Sequence, residues 1–386
     1  MALVFLPGMN KSVDMRLIQW IWSIAVVGSM AIPVFVFAQE NTVKDEFYRA
    51  RVVQVSEDVV KKDDASVSII QKIRVRILSG SEKGNEYDIT QSTEFSSAKK
   101  QNIEQGDVFV VAKTALDSGE IRWDVIDQYR LLRMIWVFAV FIGIVIFFTR
   151  KRGVMSLVGL AVSVAILGFV VIPQILSGGN PLVWCLAGAL IIAIVSLYLA
   201  HGFSTRTSIA VVGTFITVLL SVGVGALFVW LTRLSGAGSE DVFYLQLTQL
   251  GMSLDVRGLL LSGMIIGALG VLDDVTTAQS AVVEELHLAN PSFSGQELYK
   301  RGLSVGREHI TSLVNTLALA YIGASFPLFL YIPLNKSEQP VWLLFNSEFL
   351  VEEIVRTLVG STVLVLAVPI TTVIAAMVFS KKIHHS

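Results

Sequence analysis

Charge and cysteine are what this 386-residue sequence has least of. Charged residues make up 16% of the chain against 53% hydrophobic, and the mean hydropathy is +0.67. Soluble domains carry about 25% charged residues, so the shortage argues against an ordinary soluble fold and for a membrane protein. The formal net charge of −1 offers no field for nucleic acid or for an acidic partner. The single cysteine, Cys185, lies inside the apolar run "LVWCLAGALIIAIV" and is expected to pack as a small hydrophobe. A disulfide framework and a thiolate metal site are both excluded. Walker loops, dinucleotide-binding fingerprints and nucleophile elbows are absent as well, so neither a cofactor nor a metal is expected.

The sequence opens with a targeting pattern. Lys11 and Arg16 precede "LIQWIWSIAVVGSMAIPVFVFA", which ends at Val36-Phe37-Ala38 and fits the small-residue cleavage rule loosely. The run is longer than a usual signal core, so residues 1–38 read as a cleaved signal peptide or as a retained anchor. Either one carries the following segment out of the cytoplasm.

Residues 39–128 are charged and contain no long apolar run. "EFYRARVVQV", "IRVRIL", "DVFVVAKT" and "IRWDV" alternate as half-buried strands do, with connectors such as "SGSEKGNEYD" and "EQGD" between them. About five short strands predict a small extracytoplasmic all-β domain, a barrel or a sandwich. From residue 129 to 386 the chain reads as an α-helical polytopic membrane domain. Seven spans are predicted near 131–149, 154–176, 182–200, 208–231, 256–275, 310–332 and 354–379, with a cytoplasmic helical hairpin around 276–309. Arg150, Lys151, Arg152, Arg206, Lys300, Arg301, Arg307, Lys381 and Lys382 fall in alternate loops. By the positive-inside rule the β domain is then outside and the C-terminus cytoplasmic, in agreement with the targeting segment. A short interfacial helix is expected between 232 and 255. No inverted repeat is visible, unlike transporters built from two halves.

The stretches "QKIRVRILSGSEKGNEYDITQSTE" and "QGDVFVV", followed by helices carrying "GALGVLDDVTTAQSAVVEEL", resemble the YibE/F-like family of bacterial multi-spanning membrane proteins. The resemblance runs from about residue 45 to 380, and Gly-x-Leu-Asp-Asp-Val is its most specific part. It implies a bacterial cytoplasmic membrane location. No reaction, substrate or site residue comes with it.

The chemistry the residues themselves offer is concentrated after the fifth apolar run. Asp255 or Ser253 can cap a helix that "HLANP" stops, giving about 50 Å of helix against a hydrocarbon core of about 30 Å. On it Asp273, Thr277, Ser280 and Glu284 share one face within about 60° of arc, while Asp274 points elsewhere. "SGQE" at 294–297 is a capping box that starts the next helix after a short turn. There Arg301, Ser304, Glu308, Ser312 and Asn315 share a face, and the two polar faces are expected to meet. Gly263, Gly267 and Gly270 would let another helix approach closely. One reading is a polar ion or proton path opening to the cytoplasm, with Asp273, Thr277 and Asn315 as its groups. The other is a hairpin whose charges simply meet cytosolic water.

Weaker signals read as structure. "EEIVR" at 352–356 is one residue short of a membrane-protease pattern and suits the positive end of a helix. Asp273 lacks the companion motifs of intramembrane aspartyl proteases. His201 and His287 each lack a second histidine at ligand spacing. The sequence therefore supports a non-enzymatic protein, transporter or permease-like, with a polar ion, proton or small-solute site between helices 256–288 and 295–332. The alternative is an envelope scaffold or accessory protein whose outer β domain binds a partner. The expected partners are the lipid bilayer and an extracytoplasmic protein or a second copy of the chain.

Overall fold

The computed structural model describes residues 46–63, 66–94, 103–115, 120–247, 254–334 and 340–381. The targeting segment at 1–38 lies outside these residues. The described chain divides into a β unit that ends at Ile144 and a helical unit that begins at Val145.

The β unit is a five-stranded antiparallel sheet in the order β3-β2-β1-β4-β5. The strands are β1 (Glu46–Asp63), β2 (Ser66–Ile77), β3 (Glu86–Glu94), β4 (Val108–Ala115) and β5 (Ile121–Gln128). Two differences from expectation stand out: β1 and β2 are long, and β3 begins inside the predicted connector "SGSEKGNEYD". Alternation decides the inner face, where Tyr48, Ala50, Val52, Ile73, Val75, Ile77 and Val111 are buried. On the outer face, register places Arg74 opposite Asp88 and Arg76 opposite Glu86, as ion pairs of 2.8 and 2.7 Å. Opposite charges directly across a strand pair favour that register over a one-residue slip. The sheet curls into a half-barrel: Tyr87 of β3 stacks on Trp123 of β5 with centroids 4.3 Å apart. Glu82 accepts from Lys113 Nζ (2.6 Å) and from the Tyr87 hydroxyl (2.8 Å) beside this closure. Gly80, with φ +76° and a would-be Cβ 2.5 Å from the Tyr48 ring, takes a turn no other residue would fit.

The helices are α1 (Leu131–Ile166), a π-helical turn (Leu167–Val171), α2 (Ile172–Leu176), α3 (Pro181–His201), α4 (Thr205–Leu231), α5 (Glu240–Leu247) and α6 (Val256–Ala289). They continue as α7 (Gly295–Ala324), α8 (Phe326–Leu334), α9 (Val341–Phe345) and α10 (Glu348–Lys381). Among the described residues five stretches are long and apolar enough to cross a membrane: Leu131–Leu176, Pro181–His201, Thr205–Leu231, Val256–Ala289 and Glu348–Ser380. The first is broken at Arg150, whose φ of 52° and ψ of −131° leave the helical region, between the first two predicted spans. The sixth predicted span, 310–332, is not one helix. It crosses the end of α7 at Ser325 into α8, and polar residues keep α7 below the apolarity of the other five.

Capping explains the boundaries. Asn180 and Ser204 accept from Val183 N and Thr207 N at the starts of α3 and α4. Asp255 accepts from Gly258 N (2.9 Å) at the start of α6, and Ser294 and Glu297 form a reciprocal capping box on α7. α6 is the central helix. Leu261, Ile265, Leu272, Val275 and Val283 are buried along it, and α3, α4, α7 and α10 pack around it.

Candidate functional site: a buried polar seam beside Asp273

Apolar periodicity places α6, α4 and α10 side by side, and the few polar residues inside those faces are thereby forced to meet. On α4, Thr207, Thr214, Thr217 and Ser221 recur on one buried stripe. On α6 the buried polar residues are Ser262, Thr276, Gln279 and Ser280, and on α10 they include Thr371 and Thr372. Thr214 and Thr276 hydroxyls bond across α4 and α6 at 2.8 Å. Gln279 Nε2 donates to the Gly302 carbonyl of α7 and to Thr372 Oγ1 of α10, both at 2.8 Å. One amide thus ties three helices together, and Thr372 in turn donates to the Val368 carbonyl at 2.6 Å. Pro369 supplies no N–H to the α10 ladder at this same level.

Next to this seam the bonding is incomplete. Asp273 is half-buried beside Ser196 of α3, and its Oδ1 is closed off from solvent without a partner among the described residues. One turn on, Thr277 Oγ1 is likewise buried and unpaired, and so is Thr371 Oγ1 on α10. Buried polar atoms in proteins are normally satisfied, so Asp273 Oδ1 and Thr277 Oγ1, one turn apart on α6, and Thr371 Oγ1 on α10 are exceptions, as are Arg206 Nε, His287 Nδ1 and Arg356 Nε. Asp274 is exposed, consistent with its different direction on the helix.

The remaining sequence candidates sort differently. Ser280 is buried and donates to the Thr277 carbonyl at 3.0 Å. Glu284 faces Arg206 at the start of α4, 3.7 Å away, and does not face an α7 arginine. Arg301, Ser304, Glu308, Ser312 and Asn315 are all exposed, so the expected meeting of two polar faces does not occur. Arg301 lies over the Phe293 ring, 4.4 Å from its centroid. α7 turns its small side inward instead: Leu298, Gly302 and Gly306 are buried. A Cβ on Gly302 would lie 2.9 Å from Val283 Cγ2 and 3.1 Å from Thr372 Cγ2. Close van der Waals approach through glycine, and not charge pairing, sets which side of α7 meets α6 and α10. Of the three glycines on α6, Gly263 and Gly270 have open space around them. Gly267 receives the Tyr321 hydroxyl of α7, 2.7 Å from its would-be Cβ. The residues sequence reading missed are Thr214, Thr276, Gln279, Thr371 and Thr372. For Thr214 the signal was hydroxyls at three- and four-residue spacing with Thr217 and Ser221 inside an otherwise apolar helix.

Among the described residues no cluster of three metal-ligating side chains occurs. His201 is exposed, and His287 stacks on Phe379 at 5.9 Å. The "EEIVR" acids, and Glu348 one turn before them, have structural work at the start of α10. Glu348 Oε1 accepts from Ser235 N and Gly236 N, Glu352 Oε1 accepts from Gly238 N at 2.9 Å, and Glu353 pairs with Arg356 at 2.7 Å.

No curated protein and no solved structure matches the chain. The family described as YibE/F-like protein matches residues 137–381, which cover the helical unit and the seam. The chain belongs to the YibE/F-like family.

Proposed function

We propose that the helical unit is the membrane domain of a transporter or permease-like protein, and that Asp273 is the group that takes up and releases a proton or small cation. The observation that carries this reading is the buried, unpaired Asp273 Oδ1 beside the unpaired Thr277 Oγ1. A charged side chain at the bilayer centre costs at least about 2.5–3.5 kcal/mol, and acids tolerated at membrane depth characteristically mark ion and proton routes. The hydroxyls of Ser196 and Thr277 are neutral oxygen donors of the kind that solvate a transferred proton or a small hard cation. The proposed site is thus on α6, at the face it turns to Ser196 of α3.

The test is flux in vesicles holding purified full-length protein and an internal pH-sensitive dye, under an imposed potential. Wild type and Asp274→Asn should dissipate the gradient, and Asp273→Asn should not. Equal flux in Asp273→Asn would overturn the reading. The orientation that goes with it puts the β unit outside the cytoplasm. A cysteine at Ser177 is then labelled by an impermeant reagent from outside, and one at Ser294 only after permeabilisation.

A second reading, an envelope component that binds a partner through its β unit, draws on the exposed apolar side chains Phe47, Ile121 and Ile126. Replacing them with serine should abolish capture of such a partner and leave vesicle flux intact.

A further inference from the structure

α7 is the helix whose composition and position disagree. It lies antiparallel along the whole length of α10. Gly295 sits against Ser380, Gly302 against Thr372, Gly306 against Val368 and Leu317 against Gly360, and Ser325 Oγ donates to Glu353 Oε2 at 3.0 Å. α10 is one of the stretches apolar enough to cross a membrane, from Glu348 to Ser380. α7 therefore occupies the same slab, although it is too polar to qualify alone. Leu364 is midway along α10. The α7 residues level with it fall between Gly306 and Leu317, near Ser312.

At that depth the inner side of α7 is closed against the bundle, while Ser312, Asn315 and Thr316 are exposed on its outer side. The same side continues through Glu308, Ser304 and Arg301, also exposed. Thr316 satisfies its hydroxyl on the Ser312 carbonyl at 3.0 Å. The Asn315 amide carries two donors and a carbonyl that hydrocarbon cannot serve. Such a face in a bilayer must be covered.

We infer that it is covered by a second copy of this chain, α7 against α7, across a two-fold axis normal to the membrane. Copies in one membrane share depth and direction, so each group meets its own counterpart, and an isologous contact requires self-complementarity. The face has it. An asparagine amide is donor and acceptor at once and pairs with another asparagine. Arg307 lies next to Glu308 and so at nearly the same depth, which leaves both signs available for exchange between copies. Ser312 and Thr316, one turn apart and both exposed, are small enough to permit the close approach typical of membrane helix pairs. The apolar run at 17–38 has no charged residue, and its polar side chains, Gln19, Ser23 and Ser29, all fall in its first thirteen residues, too few to match a face that also carries Arg301 and Glu308.

This inference rests on the membrane reading of the helical unit and not on the role of Asp273. Its test is made in native membranes without any flux assay, on full-length protein with Cys185→Ala. Single cysteines at Ser312 and Thr316 should form a disulfide-linked dimer on mild oxidation. A cysteine at the exposed Leu219 of α4 should stay monomeric. Wild type in mild detergent should show twice the 42.2 kDa chain mass, and Asn315→Leu should lose most of that dimer. A monomeric wild-type mass with no cross-link at either position would overturn the inference. So would labelling of the Ser312 cysteine by an impermeant thiol reagent, which would make the face an aqueous groove. A cross-link from Ser312 to a cysteine placed within 17–38 would show the leader covering it, with the same consequence.

Discussion

Gly306→Ala isolates the contact that sets which side of α7 faces the bundle. A methyl there would run into Val368 Cγ1 and lie 2.8 Å from Gln279 Oε1 and 3.1 Å from Gln279 Cδ. Ordinary van der Waals contact begins at 3.4 Å, so α7 must retreat by roughly half an ångström or more along this stretch. Gln279 cannot give way freely, because its Nε2 is committed to Gly302 and Thr372. Overpacking of this kind costs about 1–3 kcal/mol. Against it stands the gain in helix propensity from glycine to alanine, about 1 kcal/mol. Net destabilisation of up to about 2 kcal/mol is expected, a change of up to roughly 30-fold in the population of detached α7. Gly323→Ala is the control, since nothing lies within 4 Å of its would-be Cβ and only the propensity gain applies. The assay is proteolysis of the turn at 290–294 in mild detergent, alongside thermal denaturation. Gly306→Ala should be cleaved faster and melt earlier than wild type, and Gly323→Ala should do neither. Equal behaviour of the two variants would refute the packing of α7 described above.

Three further outcomes follow from the geometry. Gln279→Leu removes both buried donor bonds and leaves the Gly302 carbonyl without that partner; a loss of about 1–3 kcal/mol is expected in thermal or denaturant unfolding, and Gln279→Glu should not rescue it. Glu348→Ala frees the backbone N–H groups of Ser235 and Gly236, so amide hydrogen exchange at 235–238 should accelerate while exchange at Val275 stays unchanged. In the β unit, the hydrogen bonds from Lys113, Tyr87 and Asn85 hold the Glu82 carboxyl at about 2. A carboxyl depressed in the folded state contributes stability above its unfolded value of about 4.3, and that contribution is lost as pH falls through the folded value. Glu82→Gln should therefore be less stable than wild type at neutral pH, and the difference should vanish in strong acid. A constant difference across that window would contradict the pairing.

Local chemistry was the legible part of this chain. Asp255 as a cap, Asn290 as a stop and Ser294 with Glu297 as a capping box are short-range signals, and each end of α6 and the start of α7 falls where they put it. The alternation in "IRVRIL" likewise puts Ile73, Val75 and Ile77 on the buried face. Partner choice was not legible. Charge pattern paired the acids of α6 with Arg301, whereas Gly302 and Gly306 decide the approach, and glycine carries no sign that a charge count can read. Gln279 gives no sign of its role in the sequence, where it is one amide among apolar neighbours; only the fold brings the Gly302 carbonyl and Thr372 to it. The orphaned state of Asp273 Oδ1 is a property of three dimensions, since it depends on which side chains the neighbouring helices bring to it.

The proposal as a whole stands on Asp273 exchanging its proton or cation within the assembled protein. Infrared difference spectroscopy on membranes of wild type and Asp273→Asn reads that directly through the carboxyl C=O band. The expected result is a band that responds reversibly to pH or to added cation in wild type and is missing in Asp273→Asn. An Asp273 band that stays unchanged under every condition in which the protein remains folded would contradict it.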